Sequence, residues 1–164
     1  VVMVFATHSH EDRAGGLDFY KQKGIRTYSG KLTDEILKKN NEGRAEFIIP
    51  NDATFTIGQY NFEEYYPGKG HAPDNVVVWF GKEKILYGGC FIKSAEAKDL
   101  GNLGDADVKE WERSIKKVQS KFKNPKYVIP GHDDGTTSES INHTLKLVQD
   151  YNLSNSASSK SGQK

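Results

Sequence analysis

The chain has 164 residues, of which 35% are hydrophobic, 27% charged and 11% aromatic, the proportions of a globular domain and not of a disordered or fibrous one. With 23 Lys and Arg against 22 Asp and Glu, a net charge of +1 gives no field that would favour nucleic acid or an acidic membrane surface. Mean hydropathy is -0.70, no apolar run approaches the roughly 20 residues of a membrane span, and the single cysteine, Cys90, excludes an intrachain disulfide.

Residues 1–6 form a continuous apolar run, the pattern of a strand covered on both faces. Nothing before Val1 would cover it, so the chain is expected to be a fragment of a longer domain. The run ends in Thr7-His8-Ser9-His10, a polar cluster directly on a strand end. Residues 13–23 predict a short helix lined by Leu17, Phe19 and Tyr20, with Gly24 at its C-terminal cap. Residues 25–28 read as a strand. Thr33 is placed to cap a helix through Asn40, with Leu32 and Leu37 as a hydrophobic staple.

Residues 47–49, 54–57 and 60–66 are β-rich, and Gly58-Gln59 predicts a hairpin between the last two. The loop Gly68-Lys69-Gly70-His71 leads to strands at 75–80 and 84–87, and then to Gly88-Gly89-Cys90. Val108, Trp111, Ile115, Val118 and Phe122 recur at steps of three and four, so 107–121 is an amphipathic helix with its apolar stripe on a sheet. Residues 127–129 make a strand ending in Pro130-Gly131-His132, and Ile141, Leu145 and Val148 mark a last helix. The reading is an α/β or α+β layered domain over 1–153, followed by a disordered polar tail over 154–164.

Four of the five histidines and the cysteine come directly after predicted strands, at His8 and His10, His71, Cys90 and His132. In layered α/β folds such strand ends converge on one edge, where ligands bind. His8, His10 and Asp12 stand at i, i+2 and i+4, three metal-type side chains on one tight loop. Glycines before His71 allow close backbone approach, and Asp74 or Asn75 can hydrogen-bond a ligand.

Alone, Cys90 reads as a small buried hydrophobe and His132 or Arg13 as a surface residue. Together they complete a set of six donors, His8, His10, Asp12, His71, Cys90 and His132, with Arg13 as a charged neighbour of Asp12. A catalytic zinc takes three protein ligands and keeps a position for water, so six suit two sites. Imidazole with a thiolate selects zinc over magnesium or calcium. Such a pair activates water and polarises a carbonyl, which is hydrolase chemistry. His143, inside the last helix, carries no assigned role.

His8-Ser9-His10-Glu11-Asp12-Arg13, Gly68-Lys69-Gly70-His71-Ala72-Pro73-Asp74-Asn75, Gly88-Gly89-Cys90-Phe91-Ile92-Lys93-Ser94 and Pro130-Gly131-His132 together resemble the metallo-β-lactamases, subclass B1. The resemblance runs from the start of the chain to Tyr151. It implies an αβ/βα four-layer sandwich whose N-terminal part is missing here. It further implies hydrolysis of penicillins, cephalosporins and carbapenems by a zinc-bound hydroxide, without a covalent enzyme intermediate. Carried over, His8, His10 and His71 hold one zinc ion, and Asp12, Cys90 and His132 the other. Asp12 also orients the hydroxide. Lys93 resembles the anchor of the antibiotic carboxylate, and Asn102 in Gly101-Asn102-Leu103-Gly104 the residue that helps hold the lactam carbonyl. A periplasmic monomer with a small-molecule partner is the implied setting.

Glyoxalase-like and lactonase-like relatives carry His where Arg13 stands and Asp where Cys90 stands. Two other readings stay open at the level of sequence. One is a hydrolase of the same fold acting on thioesters, lactones or phosphodiesters, and the other is a non-catalytic zinc-binding fragment.

Overall fold

The computed structural model describes residues 1–133 and 136–161, with side chains through Ser156. In chain order the elements are β1 (Met3–Ala6), α1 (Glu11–Ala14), α2 (Leu17–Gln22), β2 (Arg26–Gly30), α3 (Lys31–Asn40), β3 (Phe47–Ile49), β4 (Thr54–Ile57), β5 (Tyr60–Tyr65), β6 (Val77–Phe80), β7 (Ile85–Gly89), α4 (Val108–Lys121), β8 (Tyr127–Pro130) and α5 (Glu139–Ser161). The first three strands form a parallel sheet in the order β1-β2-β3, with Val4 opposite Thr27 and Tyr28 opposite Phe47. The other five form a second sheet, antiparallel from β4 to β7 and parallel where Leu86 of β7 meets Val128 of β8.

Parallel pairs cannot be joined by tight turns, so each needs a crossover, and helices supply it. Helices α2 and α3 cover the outer face of the first sheet around Ala6, Ala14, Leu17 and Leu37. Trp111, Ile115 and Val118 of α4 pack with Ile141 and Val148 of α5 onto Val77, Leu86 and Val128 of the second sheet. The inner faces of the two sheets meet through Phe5, Tyr28 and Phe55, whose rings stand 5.9 to 6.4 Å apart. These are the four layers αβ/βα. Between the inner faces lies a cleft of about 510 Å³ walled by Met3, Phe5, Phe62, Val78 and Phe80, and Glu64 also faces into it.

Two local expectations are corrected. The helix expected over 13–23 is two short helices, because Gly15 and Gly16 separate α1 from α2. Thr33 lies inside α3, which Gly30 caps. The Thr33 side chain is instead buried and lines a small cavity together with Asp74. Helix α5 is described through Ser161 and so takes in residues 154–161 of the expected polar tail. Ser154, Asn155 and Ser156 each donate a side-chain hydrogen bond to the carbonyl four residues earlier. Residues 162–164 of the expected tail lie outside the described residues. Among the described residues no helix is long and apolar enough to cross a membrane.

Candidate metal centre

Strand β1 ends at Ala6, and the next residues, Thr7, His8 and Ser9, are buried. The chain then turns into α1 at Glu11, so His8 and His10 project from a tight segment and Asp12 from the first helical turn. His71 follows β5 in a loop held shut by Asn75, whose side chain accepts from the Ala72 N–H at 2.9 Å and donates to the Gly68 carbonyl at 3.0 Å. The preceding Gly70 is sterically required there, because a Cβ would lie 2.6 Å from the Phe91 ring and 2.9 Å from that of Trp111.

At the end of β7 the register with β8 shifts between Tyr87 and Gly89, and Gly89 adopts φ +54. This bulge turns the chain so that Cys90 leaves the sheet. His132 leaves β8 beside it, through Gly131. A Cβ on Gly131 would overlap the Cys90 main-chain nitrogen and stand 2.6 Å from the Gly89 carbonyl carbon, so the two strand ends approach more closely than any side chain permits.

The six expected donors therefore meet. His8, His10 and His71 stand edge to face, their ring centroids 4.6, 5.2 and 5.0 Å apart. The donor atoms of Asp12, Cys90 and His132 all lie within 4.8 Å of one another. The Cys90 thiol donates to Asp12 Oδ2 at 3.5 Å and faces His132 Nε2 at 3.1 Å, and His132 Nε2 lies 3.2 Å from Asp12 Oδ2. His8 joins the two halves, since its donor atom falls within the same limit of His71 with Cys90 and of His10 with Asp12.

Electrostatics prepare these groups as ligands. Burial, reinforced by His10, lowers the His8 pKa to about 4, and burial with the Lys93 ammonium lowers that of His71 to about 3. Both rings are thus neutral lone-pair donors at pH 7. Burial works to raise the Asp12 carboxyl, but Arg13 and the Cys90 thiol outweigh it and hold the group ionised below its usual range. Arg13 reaches Asp12 Oδ2 at 3.3 Å and donates to the Gly131 carbonyl at 2.6 Å, so it ties the first ligand loop to the last. Burial raises the Cys90 thiol to about 11. A cation would have to displace that proton, as thiolate ligation requires.

The donor set fits a soft transition-metal ion. His8 Nε2 and His10 Nδ1 face each other at 3.1 Å. His10 Nε2 is engaged by Asp105 Oδ2 at 3.0 Å, which places the ring proton on Nε2 and leaves Nδ1 as a lone pair. His71 Nδ1 is buried without a hydrogen-bond partner among the described residues. Converging nitrogens with a thiol and a carboxylate are the ligand chemistry of zinc and its neighbours, not of calcium or magnesium.

Residues 1–132 match the metallo-beta-lactamase superfamily. The chain belongs to this family. It is 51% identical over 158 residues to the metallo-beta-lactamase type 2 of Elizabethkingia meningoseptica, covering 96% of this chain and 64% of that protein. It is 45% identical over 148 residues to the metallo-beta-lactamase IND-1 of Chryseobacterium indologenes, covering 90% of this chain and 62% of that one. The chain therefore spans less than two thirds of the length of these curated relatives. Among solved structures, the metallo-beta-lactamase from Pontibacter korlensis superimposes with a TM-score of 0.88 at 38% identity, over 91% of this chain and 69% of that one. The metallo-beta-lactamase IND-7 does so with 0.87 at 44%, over 91% and 68%. The likeness covers both sheets and the donors between them, so the metal-binding character of the family coincides with the donor cluster here.

Two expected substrate residues flank the donors. Lys93 sits half-buried with its Nζ 5.7 Å over the Trp111 ring, and burial lowers its pKa against the pull of Cys90 and Asp99. Asn102 is exposed, and with His10, Glu11, Pro73 and Asp105 it lines a cavity of about 510 Å³. Its side-chain oxygen accepts from the Gly104 N–H at 2.9 Å, which leaves the amide nitrogen as the donor toward the cavity. Asp105 is the residue that sequence reasoning missed. It lies 95 residues from His10 in a loop with no periodic pattern, so nothing local links the two.

Proposed function

We propose that this protein hydrolyses the β-lactam amide bond of penicillins, cephalosporins and carbapenems with two zinc ions, as a subclass B1 metallo-β-lactamase conferring antibiotic resistance. The carrying observation is the clustering of Asp12, Cys90 and His132 donor atoms within 4.8 Å, joined through His8 to two more histidines and flanked by the desolvated Lys93 ammonium. His8, His10 and His71 would hold one ion, and Asp12, Cys90 and His132 the other. Zinc held there supplies Lewis acidity toward a carbonyl and toward water.

The protein's own groups do the rest. Asp12, kept ionised by Arg13, can accept a hydrogen bond from the attacking water and aim it. The Asn102 amide can donate to the lactam carbonyl as negative charge grows on its oxygen. Lys93 can bind the substrate carboxylate away from the scissile bond and fix its orientation. Water is the nucleophile in this scheme, so no acyl-enzyme forms. A periplasmic monomer suits an enzyme that meets a small antibiotic.

The test uses the zinc-loaded full-length protein with nitrocefin and a carbapenem. Turnover with two zinc ions per chain is expected, lost on chelation and untouched by inhibitors that acylate serine. Full activity with one zinc would remove the two-metal scheme. Thioester or lactone turnover without β-lactam turnover would replace the substrate class.

A further inference from the structure

The substrate-facing segment after Cys90 is fastened from outside the site. The Lys93 N–H donates to Thr144 Oγ1 at 2.9 Å, and the same hydroxyl donates to the Ser140 carbonyl at 2.7 Å and lies 3.3 Å from the Lys93 carbonyl. One residue earlier on α5, His143 Nε2 bonds the Ala97 carbonyl at 2.7 Å. Thr144 is buried. Neighbouring residues of one helix thus grip the chain at Lys93 and at Ala97, and between them hold the segment that carries the half-buried ammonium over Trp111. Cys90 is placed by other means, namely the β7 bulge, the contact with Gly131 and the Ile92 N–H to Gly89 carbonyl bond at 3.1 Å.

We propose that Thr144 is a positioning residue: it fixes the main chain at Lys93, so that the ammonium meets a substrate carboxylate while the metal donors are left undisturbed. This rests on the β-lactamase reading for its substrate, and on the hydrogen bonds above for its geometry. A Lys on a loose segment would have to be ordered by each substrate, and that cost would fall on binding and not on the chemical step. The hydroxyl matters because it accepts from Lys93 and donates along α5 at once. Serine can do the same and valine, of similar shape, cannot.

The test compares Thr144→Val and Thr144→Ser with the parent in the zinc-loaded full-length protein, with Lys93→Ala as reference. For a β-lactam bearing a free carboxylate, Thr144→Val is expected to raise KM roughly three- to tenfold, the loss of about one hydrogen bond. Its kcat should stay within about twofold of the parent, zinc content should be unchanged, and Thr144→Ser should restore KM. The methyl ester of the same lactam should show no such rise. An equal effect on acid and ester, a matching fall in kcat, or failure of serine to rescue would overturn the proposal.

A second arm needs no turnover. The Lys93 amide should exchange its hydrogen at least about tenfold faster in Thr144→Val than in the parent, while the Leu86 and Val128 amides in the strands keep their rates. An unaltered Lys93 amide overturns the positioning role. If the parent protein turns over no β-lactam, the functional reading fails, and the exchange arm alone decides whether Thr144 positions Lys93.

Discussion

Cys90 shows how one side chain changes character with its surroundings. Its thiol sits between a carboxylate and an imidazole, yet burial holds the proton on sulfur at pH 7. Zinc would take that proton's place, and a hydroxyl is a far poorer ligand than a thiolate. Cys90→Ser is therefore expected to weaken one of two zinc sites by at least tenfold and leave the other close to its parent affinity. Titration with a chromophoric chelator would read this, and equal losses at both sites would break the assignment of Cys90 to one ion. Glu64 is the opposite case, a buried carboxyl facing the apolar cleft between the sheets. Its Oε2 has only a 3.5 Å contact with the Ala53 N–H, and its Oε1 has no partner among the described residues. Burial raises its pKa from 4.5 to about 7. Between those values the folded chain keeps a proton that the unfolded chain has released, so stability falls as pH rises through that window and the loss is complete above it. Glu64→Gln should stabilise the protein by on the order of 2–3 kcal/mol at pH 8 and hardly at all at pH 4. Denaturant midpoints at the two pH values would show it, and an equal gain at both would mean that packing, not charge, is the cause. The clustering of these six metal-type residues was legible because five of them follow predicted strands and Asp12 stands on the same short loop as His8 and His10. Asp105, Glu64 and Thr144 were not, since their roles come from partners far away in sequence that no local pattern announces.

Elements were readable where one period dominates. The stripe from Val108 to Phe122 predicted α4, and Trp111, Ile115 and Val118 are buried against the second sheet, with Asp107 accepting from the Glu110 N–H at 3.1 Å as its cap. The hairpin through Gly58-Gln59 follows from turn chemistry, and Ile57 pairs with Tyr60 as that requires. A residue with capping chemistry need not start the helix: Thr33 has that chemistry, but α3 begins at Lys31 behind Gly30. Residues 154–161, read as a polar tail, continue α5. The closeness of β7 and β8 was also invisible, because nothing local marks Gly131 as more than a turn residue. Gly131→Ala must push its Cβ into the Gly89-Cys90 backbone, which cannot swing aside as a side chain would. A loss of roughly 1–3 kcal/mol is expected from such overpacking, together with weaker zinc binding. Thermal melting with zinc titration would measure both, and a variant unchanged in each would show that the strand ends can part freely.

At the scale of the molecule, the donors come from both sheets. His8, His10 and Asp12 follow β1 of the parallel sheet, and His71, Cys90 and His132 belong to loops of the mixed sheet. A metal held between them ties the two halves together, and it stabilises the native state by mass action. Zinc at 100 times its Kd should add about 2.7 kcal/mol and raise Tm by roughly 5–10 °C, reversed by a chelator. A melting temperature indifferent to zinc would show that the donors hold no ion in solution. The spread of these donors also sets an order of events at birth. His8 and His132 are 124 residues apart, so at roughly 5–20 residues per second the ribosome takes about 6 to 25 s to pass from one to the other. The trio of His8, His10 and Asp12 is complete first and that of His8, His71 and Cys90 next, whereas the trio closed by His132 waits for β8. Helix α5, which grips Lys93, is made after all of these donors. A nascent chain thus acquires its metal-binding groups before the clasp that steadies its substrate arm.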